Sequence, residues 1–293
     1  MVFASLLITF REALEAALIV GIVSAYLRKV GQSRLDKYLY LGAGLAIVTS
    51  VVVGVAVQFV YGGLSGATAE LFEGFASLTA AGVLTYMIFW MARNSKKIKD
   101  HIEQKVDLAV TKGQVFGIAT LSFVAVVREG IETVLFLTAL FFLDPSGTAI
   151  GMMIGLAAVV SLSVAILRRT RVVNVRSFFK YSSLVLIVFA AGLAGYGVHE
   201  LLEAGDSFGI SLGVLATHAF NINPADTSSI FHERGTFGSI LRALVGYDGN
   251  PEWLRVIVYL GYWLIVGGYA LLTYGYRRQE DTVTGTLGKA SPA

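Results

Sequence analysis

Seven apolar stretches, at about 3–27, 39–61, 71–92, 115–142, 149–167, 182–202 and 254–276, occupy most of this chain of 293 residues. Each comes close to the ~20 residues that a helix needs to cross a hydrocarbon core of ~30 Å. Helices satisfy their backbone groups internally, which lipid cannot do for them. No proline interrupts the stretches, because Pro145, Pro224, Pro251 and Pro292 all fall between them. Glycine is frequent inside, for example Gly42, Gly54, Gly192 and Gly267, and small residues let helix backbones approach closely in lipid. The expected fold is therefore all-α, a polytopic membrane protein with seven transmembrane helices.

Composition agrees. Only 15% of residues are charged, against about 25% in a soluble domain. The net charge of +3 is not a nucleic-acid footprint, since the cations sit in short loops where they act as topology signals. The sequence holds no cysteine, which excludes disulfides, thiolate metal sites and cysteine nucleophiles. The first apolar stretch lacks a basic start and carries charges, so it reads as an uncleaved span rather than a signal peptide.

Loop charge sets an expected orientation. Arg28, Lys29, Arg34 and Lys37 follow span 1, and Arg93, Lys96, Lys97, Lys99, Lys105 and Lys112 follow span 3. Arg168, Arg169, Arg171, Arg176 and Lys180 follow span 5, while Arg277, Arg278 and Lys289 follow span 7. The opposite side has only Arg234, Arg242 and Arg255. Positive residues stay inside, which puts the N-terminus outside and the C-terminus in the cytoplasm. A single membrane domain over 1–276 is expected, with repeat 1 at about 1–92 and a cytoplasmic linker helix at 93–112. Repeat 2 follows at about 113–202, then an outer loop at 203–253, span 7 at 254–276 and a disordered tail at 277–293. The linker helix, with Ile98, Ile102, Val106 and Ala109 on one face, reads as a surface helix touching anionic headgroups.

Charges inside spans are the functional signal. Span 1 carries Arg11-Glu12-Ala13-Leu14-Glu15 and span 4 carries Arg128-Glu129-Gly130-Ile131-Glu132. One charge at the bilayer centre costs at least ~2.5–3.5 kcal/mol on insertion scales, so two such triplets require a reason. Three spans separate the copies, and an odd shift inverts direction. Spans 1–3 and 4–6 then form a 3+3 inverted repeat with span 7 appended, a common architecture of secondary transporters. Within each motif the glutamates are three apart and share a helix face. Antiparallel packing would set Arg11 at the depth of Glu132 and Arg128 at that of Glu15, so that each arginine orients a carboxylate of the other repeat.

The four carboxylates Glu12, Glu15, Glu129 and Glu132, with Arg11 and Arg128, form an expected cation site of formal charge −2. Oxygen donors suit Fe³⁺, Mn²⁺, Ca²⁺ or protons better than Cu⁺ or Zn²⁺. A purely structural role as two Arg–Glu bridges is the weaker alternative, because buried ion pairs are poor stabilisers. A second cluster gathers outside: Glu70 and Glu73 open span 3, while His199, Glu200, Glu203 and Asp206 close span 6. It reads as an outer vestibule that collects cations. His218, Asp226, His232 and Glu233 in the outer loop read as solvated residues without ligand spacing, and Tyr61, Trp90, Trp253, Tyr274 and Tyr276 as interface anchors. No Walker loop, dinucleotide fingerprint or nucleophile elbow is present.

With these residues the sequence resembles the oxidase-dependent iron transporters, which include the fungal high-affinity iron permease and the bacterial EfeU-type permeases. The family marker R-E-G-L-E stands here as REALE at 11–15 and REGIE at 128–132. GVHELLEAG at 197–205 and GSILRALVGYDGNPEW at 238–253 extend the likeness over nearly the whole of 1–276. Two departures, Ala13 for glycine and Ile131 for leucine, leave every charge intact. The resemblance implies a seven-span permease, not an enzyme, in the cytoplasmic (inner) membrane of a bacterium. It would import Fe³⁺ just oxidised by a partner and bind no permanent cofactor. The implied partners are a periplasmic haem peroxidase and a periplasmic iron-binding protein. Transport of a divalent metal (Fe²⁺, Mn²⁺ or Pb²⁺) is the first alternative, ahead of a metal-dependent membrane enzyme or a membrane scaffold.

Overall fold

The computed structural model describes residues 1–94, 103–108, 115–167, 175–210, 212–224, 229, 238, 241–242 and 245–271. Six long helices follow one another: α1 (Val2–Lys29), α2 (Asp36–Gly62), α3 (Ala67–Asn94), α4 (Val115–Leu143), α5 (Pro145–Leu167) and α6 (Val175–Ser207). A shorter helix, α7 (Trp253–Tyr262), continues through a π-helical turn at Trp263–Gly267 and stays helical to residue 271. Among the described residues the only strand-like pairing is one antiparallel bridge between His218 and Glu252.

Five helical segments are long and apolar enough to cross a membrane: Ser33–Gly62, Ala67–Met91, Pro145–Val164, Tyr181–Ser207 and Trp253–Leu271. Helices α1 and α4 match them in length at 28 and 29 residues, and differ only in carrying the two charged motifs. The exterior is apolar, as lipid requires: α2 alone exposes Val48, Val52, Val55 and Phe59. Every helix up to α6 extends a few residues beyond the apolar stretch that announced it, because helical backbone continues into the headgroup layer. Pro145 is a case in point. It opens α5, where its missing N–H costs nothing, and Asp144 Oδ1 caps the turn by accepting from the Gly147 N–H at 2.8 Å.

Helix directions follow from close contacts. Gly151 packs against Val2 and Ser5, and Gly155 against Leu6 and Thr9, so α1 and α5 run parallel. Gly42 meets Ala119, Gly130 meets Ser50 and Gly54 meets Val134, so α2 and α4 also run parallel. Helix α3 runs antiparallel to α6: Glu70 accepts from Ser207, while farther along Gly74 meets Gly197 and Leu201. The main pairings are α3 with α6, α2 with α4, α1 with α5, and α1 with α4. Exchanging α1 with α4, α2 with α5 and α3 with α6 returns the same set.

One hydrogen bond repeats under that exchange. Ser5, six residues before Arg11, donates to the Gly147 carbonyl of α5 at 3.3 Å. Ser122, six residues before Arg128, donates to the Leu39 carbonyl of α2 at 2.9 Å. The main core gathers Leu84, Met87 and Ile88 of α3, Phe136 and Leu140 of α4, and Leu186 and Leu193 of α6.

Of the linker, residues 103–108 are described; they are helical, and Val106 is fully buried among Val23, Leu27, Leu39 and Ile118 at the ends of α1, α2 and α4 while most of its neighbours in the turn are exposed. Ile98, Ile102 and Ala109 lie outside the described residues, as does 277–293.

A test of the α2–α4 approach follows. A Cβ on Gly42 would lie 3.0 Å from the Ala119 carbonyl carbon, whereas one on Gly44 would meet nothing within 4 Å. Gly42→Ala should lower stability by ~1–3 kcal/mol, as overpacking does, while Gly44→Ala leaves the melting temperature of the detergent-solubilised protein unchanged or higher. Equal effects would refute the tight backbone crossing.

Candidate metal centre

The motif residues meet where α1 and α4 cross, near the middle of both helices. Arg11 and Glu12 are completely buried, Glu15 and Glu129 nearly so. One carboxylate oxygen from each of Glu12, Glu15 and Glu129 lies within 4.8 Å of the other two. At that spacing each pair of ionised carboxylates repels by about 3.5 kcal/mol at an effective dielectric of ~20. Both oxygens of Glu12 and one of Glu129 are buried and accept no hydrogen bond. Buried acceptors without donors are rare and invite an explanation, and a cation in their midst supplies one.

The arginines do not pair across the two motif helices. Arg11 Nη1 lies 3.4 Å from Glu12 and its Nε 3.1 Å from Glu15, both on its own helix. Arg128 Nε donates to Glu132 at 2.8 Å, again one turn away on the same helix. The expectation of Arg11–Glu132 and Arg128–Glu15 pairs is thus corrected. An i,i+4 partner needs no matching of depth between helices, and it takes the guanidinium first. Charges of the other repeat act only at longer range, Glu132 on Arg11 and Arg128 on Glu15. Trp90, read as an interface anchor, instead lies beneath Arg128, 5.2 Å from ring centre to guanidinium.

The difference between Gly130 and Ala13 has a steric cause. A Cβ on Gly130 would sit 2.6 Å from the Ser50 Cβ of α2 and closer still to its hydroxyl. Ala13, at the same place in the first motif, remains only half-buried and has room for its methyl group.

The outer cluster separates into parts. Glu73 accepts from Tyr61 at 2.6 Å and from Tyr196 at 2.5 Å, which ties α2, α3 and α6 together. Tyr61 is therefore a carboxylate partner and not merely an anchor; its ring packs on Phe142 and Phe72 at 4.7 and 6.0 Å. Glu70 accepts from Ser207 at 3.1 Å. His199, Glu200 and Glu203 bring ligand atoms within 4.8 Å of one another, and Asp206 is exposed. His199 Nδ1 stands 2.8 Å from Glu252, with Nε2 3.4 Å from Glu203. His218 contacts the Asn250 carbonyl at 2.8 Å, and Asp226, His232 and Glu233 lie outside the described residues.

Sequence reading missed Glu252 and Tyr196. Glu252 lies in the segment 238–253 but carries no ligand spacing there, and the chain reversal at the His218 bridge brings its strand-like turn beside α6 and His199. Tyr196 had a faint signal, a polar aromatic one residue before Gly197 at a helix crossing. The matched Ser5 and Ser122 had a clear one, since both stand six residues before a motif arginine.

These features define a class: a multi-helix membrane protein with a buried carboxylate centre at the crossing of two charged helices. The chain matches the iron permease FTR1 family over residues 2–272 and belongs to it. It is 40% identical over 270 residues to an uncharacterized protein of Archaeoglobus fulgidus, covering 92% of this chain and 95% of that one. It is 34% identical over 263 residues to the ferrous iron permease EfeU of Yersinia pestis, covering 89% and 90%. The putative inactive ferrous iron permease EfeU of Escherichia coli K12 is likewise 34% identical over 263 residues, covering 89% and 92%. No solved structure matches the chain.

The His199–Glu252 contact gives a pH test. Burial raises the Glu252 carboxyl, but the hydrogen bond from His199, a backbone hydrogen bond and the charges of His199 and Arg255 together outweigh it and hold the group below its ordinary range. A depressed carboxyl adds stability above its unfolded pKa, and that contribution disappears as pH falls through the folded pKa. Melting temperature should therefore drop on acidification below about pH 4, and His199→Ala should shrink that drop. An unchanged acid limb in His199→Ala would show that the contact contributes nothing.

Proposed function

We propose that this protein imports iron across the cytoplasmic membrane, with Glu12, Glu15 and Glu129 holding the ion and Arg11 and Arg128 limiting the charge of the ion-free site. The observation that carries this reading is the set of three buried carboxylates converging within 4.8 Å, with Glu12 accepting no hydrogen bond and Arg11 standing off at 3.4 Å. An all-oxygen donor set without imidazole or thiolate favours the hard ion Fe³⁺. Glu132, held by Arg128, belongs to the same centre as a reserve ligand.

Seven spans in a 3+3 inverted repeat, entered from the outside, are the architecture we assign. The exchange-invariant contacts, the parallel α1–α5 and α2–α4 pairs and the matched Ser5 and Ser122 hydrogen bonds support it. Loop cations put the N-terminus outside. Glu203 and Asp206, exposed at the outer end of α6, would receive the ion first, from a partner oxidase and a periplasmic iron-binding protein. A membrane potential of 100 mV drives three charges inward by ~7 kcal/mol, at ~2.3 kcal/mol per charge.

Fe²⁺ is the second reading, and the names of the Yersinia and Escherichia relatives, ferrous iron permeases, favour it. Radioactive iron uptake into proteoliposomes, with ferric citrate alone or with ascorbate, separates the two. Uptake should be faster without reductant, and Glu12→Gln and Glu129→Gln should each lower it at least tenfold while the protein still inserts. Near-normal uptake in both variants would remove these residues from the site; faster uptake with ascorbate would assign Fe²⁺.

A further inference from the structure

The two motifs are alike in sequence and unlike in surroundings. Arg11 is fully buried and lies against both glutamates of its motif, Glu12 and Glu15. The Arg128 side chain is 46% exposed and holds only Glu132, which leaves Glu129 to Glu12 and Glu15. The same contrast runs along the helix. Leu7 and Leu14 are 9% and 2% exposed, whereas Val124 and Ile131, at the same distances from their arginine, are 58% and 46% exposed. Val124, Arg128 and Ile131 form one continuous open face on α4; Leu7, Arg11 and Leu14 form the corresponding closed face on α1.

A half-exposed arginine near the middle of a membrane helix must face water or protein, because lipid exacts a cost of several kcal/mol. We infer that the α4 face of Val124 and Arg128 lines a water-filled route to the cytoplasmic side, and that the two arginines alternate as gates while the ion changes one ligand. This inference rests on the inverted-repeat iron site proposed above. In this state Arg11 closes the outer side and the ligands are Glu12, Glu15 and Glu129. Exchanging the conformations of the two repeats, as inverted-repeat carriers do, puts Arg128 against both Glu129 and Glu132. Arg11 then swings off Glu12 and keeps only Glu15. The ligand set becomes Glu12, Glu129 and Glu132. Glu12 and Glu129 hold the ion throughout, and Glu132 takes the place of Glu15 when the site faces outward. No bond other than metal–oxygen contacts and ion pairs changes.

The chain lacks cysteine, so single cysteines report cleanly. In right-side-out and inside-out vesicles, Val124→Cys and Leu7→Cys are treated with a membrane-impermeant maleimide, using variants that retain iron uptake. Without iron, Val124→Cys should label from the cytoplasmic side and Leu7→Cys from neither. External ferric citrate should lower Val124→Cys labelling and open Leu7→Cys to the outside. A second measurement separates ligand from gate. Glu132→Gln should change equilibrium iron binding by the purified protein less than about threefold yet lower uptake at least tenfold. Glu12→Gln should lower both at least tenfold. Equal losses of binding in Glu132→Gln and Glu12→Gln would overturn the exchange of ligands. Failure of Val124→Cys to label from the cytoplasmic side, or its disulfide cross-linking to a second copy, would overturn the water route. If those results came with normal binding by Glu12→Gln, the iron site itself would fall; if Glu12→Gln lost binding, only the alternation would.

Discussion

Complete burial of Arg11 beside Glu12 and Glu15 is the constraint on which the rest of the molecule depends. Removing a carboxylate or guanidinium from water costs several kcal/mol per ion even after relaxation. An ion pair repays that only with good geometry, and Arg11, 3.4 Å from Glu12, makes no hydrogen bond to it. Such a triplet survives only inside a frame held rigid by other contacts. The frame consists of α5 packed along α1 and α2 packed along α4, each at a spacing that admits only small residues. At Gly42 and Ala119, Gly130 and Ser50, and Gly151 and Ser5, backbones approach where a larger side chain would force them apart. Glycine in these spans thus serves the charge site, by fixing the crossing at which carboxylates of α1 and α4 converge.

The outer end is tied by another principle. Glu73 is shared by the hydroxyls of Tyr61 and Tyr196, one from α2 and one from α6. A carboxylate occupied by two tyrosines is a joint between helices and has little capacity left for a cation. Glu203 and Asp206 are exposed instead, with His199 3.4 Å from Glu203. The acidic cluster therefore divides into residues tied between helices and residues open at the surface. Glu73 and Glu203 looked equivalent in the sequence because each closes an E-x-x-E pair.

That division shows where reading the chain succeeds and where it stops. All-helical architecture was legible from the length of the apolar stretches, since nothing shorter than a span could account for them. The motif residues were legible because charge in the middle of apolar sequence has few structural uses. Pairing of the arginines was misjudged: depth matching between antiparallel helices suggested partners in the other repeat, yet a carboxylate one turn away on the same helix is always within reach. Glu252 was invisible, because its meeting with His199 depends on a loop returning to α6 and no local spacing encodes that return.

Charge arithmetic at the centre explains why a carrier would retain its arginines at all. Four carboxylates alone would present −4 to an entering ion and hold a trivalent cation too firmly to let it go. Passage requires binding strong enough to admit the ion and weak enough to release it. Arg11 and Arg128 reduce the formal charge to −2, and their placement does more than a change in composition would. Each is tethered one turn from a glutamate of its own helix, so it can return to that carboxylate as the ion leaves. A carboxylate recaptured in this way does not stand ionised and unpaired in low dielectric. Within-helix pairing, which looked like a departure from the cross-paired geometry, gives each motif a local counter-charge of its own. A cross-paired site would tie α1 to α4 by salt bridges that any relative motion of the two helices has to break.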